Sequence, residues 1–123
     1  MEQTRLYAHD VPSRPSGEQK NLEGTRVFES KLKNAQTDQL VQAILSLQTE
    51  EECYRLFDDL CTIHEVQALA QRIEVARLLR KRITYHDIAE RTGASTATIS
   101  RVNRCLIYGA GGYDTVLDRM EKE

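Results

Sequence analysis

The chain has no tryptophan, and aromatic residues of all kinds make up only 6% of its 123 residues. Its core must therefore be built from Leu, Ile, Val and Ala. A small core of this kind gains stability by dimerising, because a short chain buries a smaller share of its surface. Cys53, Cys61 and Cys105 are odd in number and form no CxxC pair. That excludes a disulfide framework and a thiolate metal site, and leaves each thiol as a small buried hydrophobe. There is no signal peptide and no long apolar run, so no membrane partner is expected and the chain reads as cytoplasmic with reduced thiols. Metal-ligand spacing and a glycine-rich phosphate loop are also lacking. His64 and Glu65 stand apart from any nucleophile, and His9 lies near the start. The expectation is a protein that is not an enzyme and has no cofactor.

What is present is charge asymmetry. The net charge is −2, which announces no polyanion partner. Between Thr37 and Cys61, however, six acids (Asp38, Glu50, Glu51, Glu52, Asp58 and Asp59) face Arg55 alone. Between Thr62 and Leu106 eight bases face four acids, Glu65, Glu74, Asp87 and Glu90. Those bases are Arg72, Arg77, Arg80, Lys81, Arg82, Arg91, Arg101 and Arg104. The second stretch points to a polyanion, and solvated helix faces would give a similar pattern.

Residues 1–33 read as a flexible extension, because both prolines, Pro12 and Pro15, lie there with Ser13, Ser16, Gly17 and Gly24, and apolar residues follow no period. Residues 34–123 read as one all-α domain. A helical stripe starts from Thr37 with Leu40, Val41, Ile44, Leu45 and Leu47. Thr49 and Glu52 form a capping box before Cys53, Leu56, Phe57 and Leu60. Thr62 and Glu65 form a second, which opens a longer helix with Val66, Leu69, Ala70, Ile73 and Ala76 facing inward, to about Arg80. A closing helix is expected over about Tyr113–Lys122, with Val116, Leu117 and Met120 apolar. No stretch alternates as a strand does.

The segment Thr84–Val102 carries the functional signal. Thr84 can cap a short helix, with Asp87 in its first turn. Ile88 points inward, and Ala89 is small enough for a second helix to cross closely. Gly93 stands where the chain must turn, and Ser95 can cap the second helix, whose Ile99 and Val102 face back. This is the spacing of a helix-turn-helix, and it predicts binding of double-stranded DNA. The second helix would lie in the major groove with its N-terminal residues near base edges. Ser95, Thr96, Ala97, Thr98 and Ser100 would form the reading face, their short side chains allowing close approach. No Asn, Gln or Arg stands at its front, so readout through water or DNA shape is expected. Arg91, Arg101 and Arg104 suit phosphates. His86 suits a base, a phosphate or a plain surface position, and Tyr85 suits packing.

Several runs resemble the Trp repressor family, most closely its YerC/YecD-type branch: Asn34–Leu40, Phe57–Thr62, Ala68–Arg72 and Gly93–Arg101. The likeness covers about three quarters of the chain and leaves out the first thirty residues. It implies a six-helix Trp repressor-like fold and an intertwined homodimer whose two recognition helices meet successive major grooves. It also implies an effector place: the family holds an indole between two arginines, at the positions of Arg72 and Arg101, with Thr62 and Cys105 at neighbouring ligand positions. Guanidinium planes stack well on aromatic faces. Three departures argue against tryptophan. The family's Gly after the second Arg is Val102, its amine-holding Ser is Cys105, and the link from Arg72 to the helix-turn-helix is about one residue shorter. The expectation is another small-molecule effector, or none, and an ion pair is an equal reading for Arg72.

Two functions follow. The first is a sequence-specific transcription regulator, a repressor on the resemblance. The second is a helical interaction module in a transcription complex, with incidental DNA affinity.

Overall fold

The computed structural model describes the backbone of residues 18–20 and 26–122, and the side chains of residues 28–122. Six helices follow two short strands. Strand β1 (Glu18–Lys20) pairs antiparallel with β2 (Arg26–Phe28), placing Gln19 opposite Val27. The ladder lies within the stretch read as an extension, and the all-α reading stands for residues 34–122. Strands of three residues are too short for alternation to register, and a two-stranded ladder is marginal by itself. The rest of the stretch read as an extension, residues 1–17 and 21–25, lies outside the described residues.

Helix α1 (Ala35–Leu45) begins two residues before Thr37, because Asn34 caps it by accepting from the Thr37 N–H at 2.8 Å. Helix α2 (Glu50–Leu60) is capped by Thr49, which accepts from the Glu52 N–H at 3.1 Å. The Glu52 carboxylate reaches one residue further back than a reciprocal box requires, to the Gln48 N–H at 2.8 Å. The box at α3 (Ile63–Arg80) is fully reciprocal: Thr62 N–H donates to Glu65 Oε1 at 2.8 Å, and Glu65 N–H donates to Thr62 Oγ1 at 3.1 Å. At the far end of α3, Arg82 takes a left-handed conformation, φ 65°. The Arg82 N–H then reaches Leu79 O and the Ile83 N–H reaches Leu78 O, closing the helix with the paired bonds of a Schellman turn.

The remaining helices are α4 (Tyr85–Thr92), α5 (Thr96–Tyr108) and α6 (Gly112–Glu121). The described residues divide into two units within α3, one over 18–67 and one from residue 68 onward. The second holds the buried core. Val75, Leu79, Ile88, Ile99 and Leu117 are wholly inaccessible to solvent, with Leu78, Val102 and Leu106 nearly so. Helices α1 and α2 contain no buried residue. The inward face expected for α3 is also different. Ala76 is buried and Ile73 packs on the core as expected, but Leu69 and Ala70 are exposed, and the helix also buries Val75, Leu78 and Leu79. Apolar and polar residues are spread around the whole of α3, so periodicity alone does not choose its inner face.

Candidate nucleic-acid interface

Helices α4 and α5 are joined by only Gly93, Ala94 and Ser95. Thr84 caps α4 by accepting from the Asp87 N–H at 3.2 Å. Gly93 ends it at φ 75°, with its N–H bonded to Ala89 O at 2.9 Å. A Cβ at this position would meet nothing within 4 Å, so the left-handed backbone, not crowding, calls for glycine. Ala94 turns into the core, and Ser95 caps α5 by accepting from the Thr98 N–H at 3.1 Å. The turn is fastened further by Thr92, whose hydroxyl donates to Ile88 O at 2.8 Å and accepts from the Ala94 N–H at 3.1 Å. Gln71 of α3 donates to Thr92 O at 3.2 Å and ties the end of α4 to the long helix.

The first turn of α5 is thus fixed at its cap and, through Ile99 and Val102, at its buried face. Ser95, Thr96 and Ala97 stand exposed at that end. Thr98 and Ser100 are half-buried, and the Ser95 hydroxyl donates to Thr98 Oγ1 at 3.2 Å, so Thr98 also serves the cap. Arg91, Arg101 and Arg104 are exposed. So is His86, with Glu90 Oε2 3.9 Å from its Nε2. Tyr85 packs against the core, as expected.

Charge is unevenly spent around this face. Arg80, half-buried at the end of α3, meets Asp118 at 2.6 Å, Asp114 at 3.4 Å and Glu121 at 3.6 Å, all on α6. Burial alone would lower its pKa. The bond to Asp118 and the three carboxylate charges outweigh this and raise it. Arg77 is held by Glu74 at 2.7 Å. That side-chain bond pulls the Glu74 pKa below its ordinary value against burial, with help from the charges of Arg77, Lys81 and Arg91. Of the bases counted in the sequence, Arg77 and Arg80 therefore serve the fold.

Thr62 caps α3, and its hydroxyl is engaged there. Arg72 is half-buried and Arg101 exposed, while Cys105 borders an open cavity with Ile73, Val116 and a residue that sequence reasoning did not single out, Tyr113. Burial raises the Tyr113 pKa, as does the neighbouring Cys105, while the Arg72 and Arg101 charges oppose the shift. No local signal marks this cluster, because its members come from three helices. Among the described residues no group of His, Cys, Asp and Glu could hold a metal ion, and no helix is long and apolar enough to cross a membrane.

Six helices with a short α4–α5 turn and an exposed α5 face define a class, and comparison with known proteins places the chain in it. A family model described as Trp repressor protein matches residues 35–121. The uncharacterized protein YerC of Bacillus subtilis is 62% identical over 92 residues, which is 75% of this chain and 88% of that protein. Among solved structures, a TrpR-like protein from Eubacterium eligens superposes with a TM-score of 0.71 at 59% identity, covering 74% of this chain and 94% of that one. A Staphylococcus aureus protein proposed to be a Trp repressor gives a TM-score of 0.72 at 52% identity, covering 76% and 93%. The chain belongs to the Trp repressor family, whose fold is that of DNA-binding regulators and not of enzymes.

Proposed function

We propose that this protein is a sequence-specific, double-stranded DNA-binding transcription regulator of the cytoplasm, a repressor that works as a homodimer. The observation that carries the reading is the α4–turn–α5 unit, taken as a helix-turn-helix. Its second helix is locked by the Ser95 cap and by the buried Ile99 and Val102, and presents Ser95, Thr96 and Ala97 outward. Short side chains at a helix N-terminus let the backbone approach base edges in a major groove. Arg91, Arg101 and Arg104 are exposed cations suited to phosphates, which set register without reading sequence.

The homodimer is supported by what the single chain leaves open. Leu40, Val41, Ile44 and Leu45 of α1, Leu60 of α2, and Ile63 and Leu69 of α3 are all 42–74% exposed. Large apolar side chains left exposed in such number point to association. A second copy is their natural cover, as is typical of the family. The reading needs no cofactor. The effector set of Arg72, Arg101, Cys105 and Thr62 belongs to the same proposal, with tryptophan disfavoured by Val102 and Cys105.

Selection of bound fragments from sheared genomic DNA tests the reading. A shared two-fold motif is expected, and Thr96→Glu with Ser100→Glu should abolish its recovery in a protein that still shows its helical spectrum. Recovery of random fragments that vanishes at modest salt would leave only non-specific attraction and would favour the protein-interaction module.

A further inference from the structure

The α4–α5 unit rests on α3 in two ways. The first is apolar: Ile88, Ala94, Ile99 and Val102 share one buried cluster with Val75, Leu78 and Leu79 of α3. Burial of this kind is non-directional, so it holds helices together without fixing how they are turned. The second is directional. Gln71, half-buried on α3, donates from Nε2 to the carbonyl oxygen of Thr92 at 3.2 Å. Thr92 is the last residue of α4, so its carbonyl has no partner within that helix. Gln71 supplies the missing donor from another helix, 21 residues back in the chain. Thr92 also holds the turn that follows it. Its hydroxyl donates to Ile88 O at 2.8 Å and accepts from the Ala94 N–H at 3.1 Å. Ala94 is buried, and Ser95 next to it accepts from the Thr98 N–H at 3.1 Å to begin α5. The bonds thus run from α3 through Thr92 and the turn to the cap of α5.

We propose that Gln71 and Thr92 are positioning residues for DNA recognition: they set the angle at which α5 is presented and act through residues 95–100, not on DNA itself. The inference rests on reading α5 as the recognition helix. Base edges are read by hydrogen bonds that weaken steeply when misaligned. Attraction between exposed arginines and phosphates tolerates a turned helix. A protein whose α5 is correctly set for part of the time binds its motif more weakly in that proportion. Loosening the tie therefore lowers specific binding and leaves non-specific binding where it was.

The test compares the selected motif with random DNA at one salt concentration. Gln71→Met keeps the length of the side chain and removes the donor. Motif affinity should fall by about two- to tenfold, the worth of one hydrogen bond, with random-DNA affinity unchanged. Thr92→Val keeps the shape, removes the hydroxyl and should show the same selective loss. Thr92→Ser restores the hydroxyl and should recover motif affinity. An equal loss on both DNAs overturns the proposal, as does unchanged motif affinity in Gln71→Met and Thr92→Val. A Thr92→Ser protein as weak as Thr92→Val also overturns it, since the methyl and not the hydroxyl would then matter. Should Gln71→Met not fold, the two Thr92 variants decide. Amide exchange without DNA separates the tie from the regulator reading. In Gln71→Met the Ala94 amide should exchange about two- to tenfold faster, while those of Val75 and Leu79 stay protected. Unchanged exchange at Ala94 overturns the tie. Faster exchange with no motif recovered by the unaltered protein keeps the tie and overturns the recognition role together with the regulator reading.

Discussion

The two units of this chain solve the same problem in different ways. From residue 68 onward, α3 to α6 enclose a core whose largest members are fully buried. Over residues 18–67, α1 and α2 are well capped and regularly spaced, yet neither buries a residue. Capping is worth only about 0.5–2 kcal/mol per helix, and isolated helices of 11 residues are marginal in water. Good local signals thus do not make a stable unit. The second unit supplies its own apolar cover, while the first depends on cover from elsewhere, which the proposed homodimer provides.

The largest expected effect breaks that dependence. Leu45 is 70% exposed and Ile63 is 74% exposed in the single chain. Changing both to Glu should cost about 3–6 kcal/mol of association per protomer, at about 1.5–3 kcal/mol per buried side chain. Sedimentation at micromolar concentration should then show monomers where the unaltered protein shows dimers. An unchanged dimer would mean that these residues face solvent in the assembly as well.

Next comes the self-sufficient unit. Ile99→Ala empties a fully buried position shared by the core and α5. Denaturant unfolding should show a loss of about 2–5 kcal/mol. A much smaller loss would mean that the core collapses readily around α5 and does not hold its angle.

The turn between α4 and α5 offers a sharper probe. Gly93→Ala has open space but the wrong backbone preference. The left-handed conformation should cost about 1–2 kcal/mol, read from the same unfolding curves. A neutral substitution would show that the turn relaxes to another conformation, and DNA affinity should then fall without a stability change.

The smallest effect concerns pH. The Glu74 pKa is lowered in the folded state, first by its bond to Arg77. Its contribution is therefore present above the ordinary carboxylate pKa and is lost as pH falls through the lowered value. Because the pair is open to solvent screening, with the Glu74 side chain 44% exposed, Glu74→Gln should cost no more than about 0.5 kcal/mol at neutral pH. The difference from the unaltered protein should vanish in acid. A difference that persists there would mean that Glu74 acts through packing and not charge.

Much of this molecule was legible locally. Thr49, Thr62, Thr84 and Ser95 each cap the helix expected of them, and Gly93 sits at the expected left-handed turn. Ile88, Ile99 and Val102 are buried as their spacing required. These features depend on neighbours within one or two turns, and short-range hydrogen bonding and backbone sterics settle them. Other features were out of reach for the same reason. The side of α3 that faces inward depends on α4, α5 and α6, since the helix offers apolar residues on several sides. The short β1–β2 ladder carries too few residues for a period.

The helices, the caps of α2 to α5, the turn before α5 and the family were readable from residues close together in the chain. Packing between helices settled that Arg80 is tied to α6, that α1 and α2 bury nothing, and that Tyr113 shares a cavity with Cys105 and Ile73. Those outcomes join residues far apart in sequence. They are set by which surfaces fill one another's space once the helices already exist.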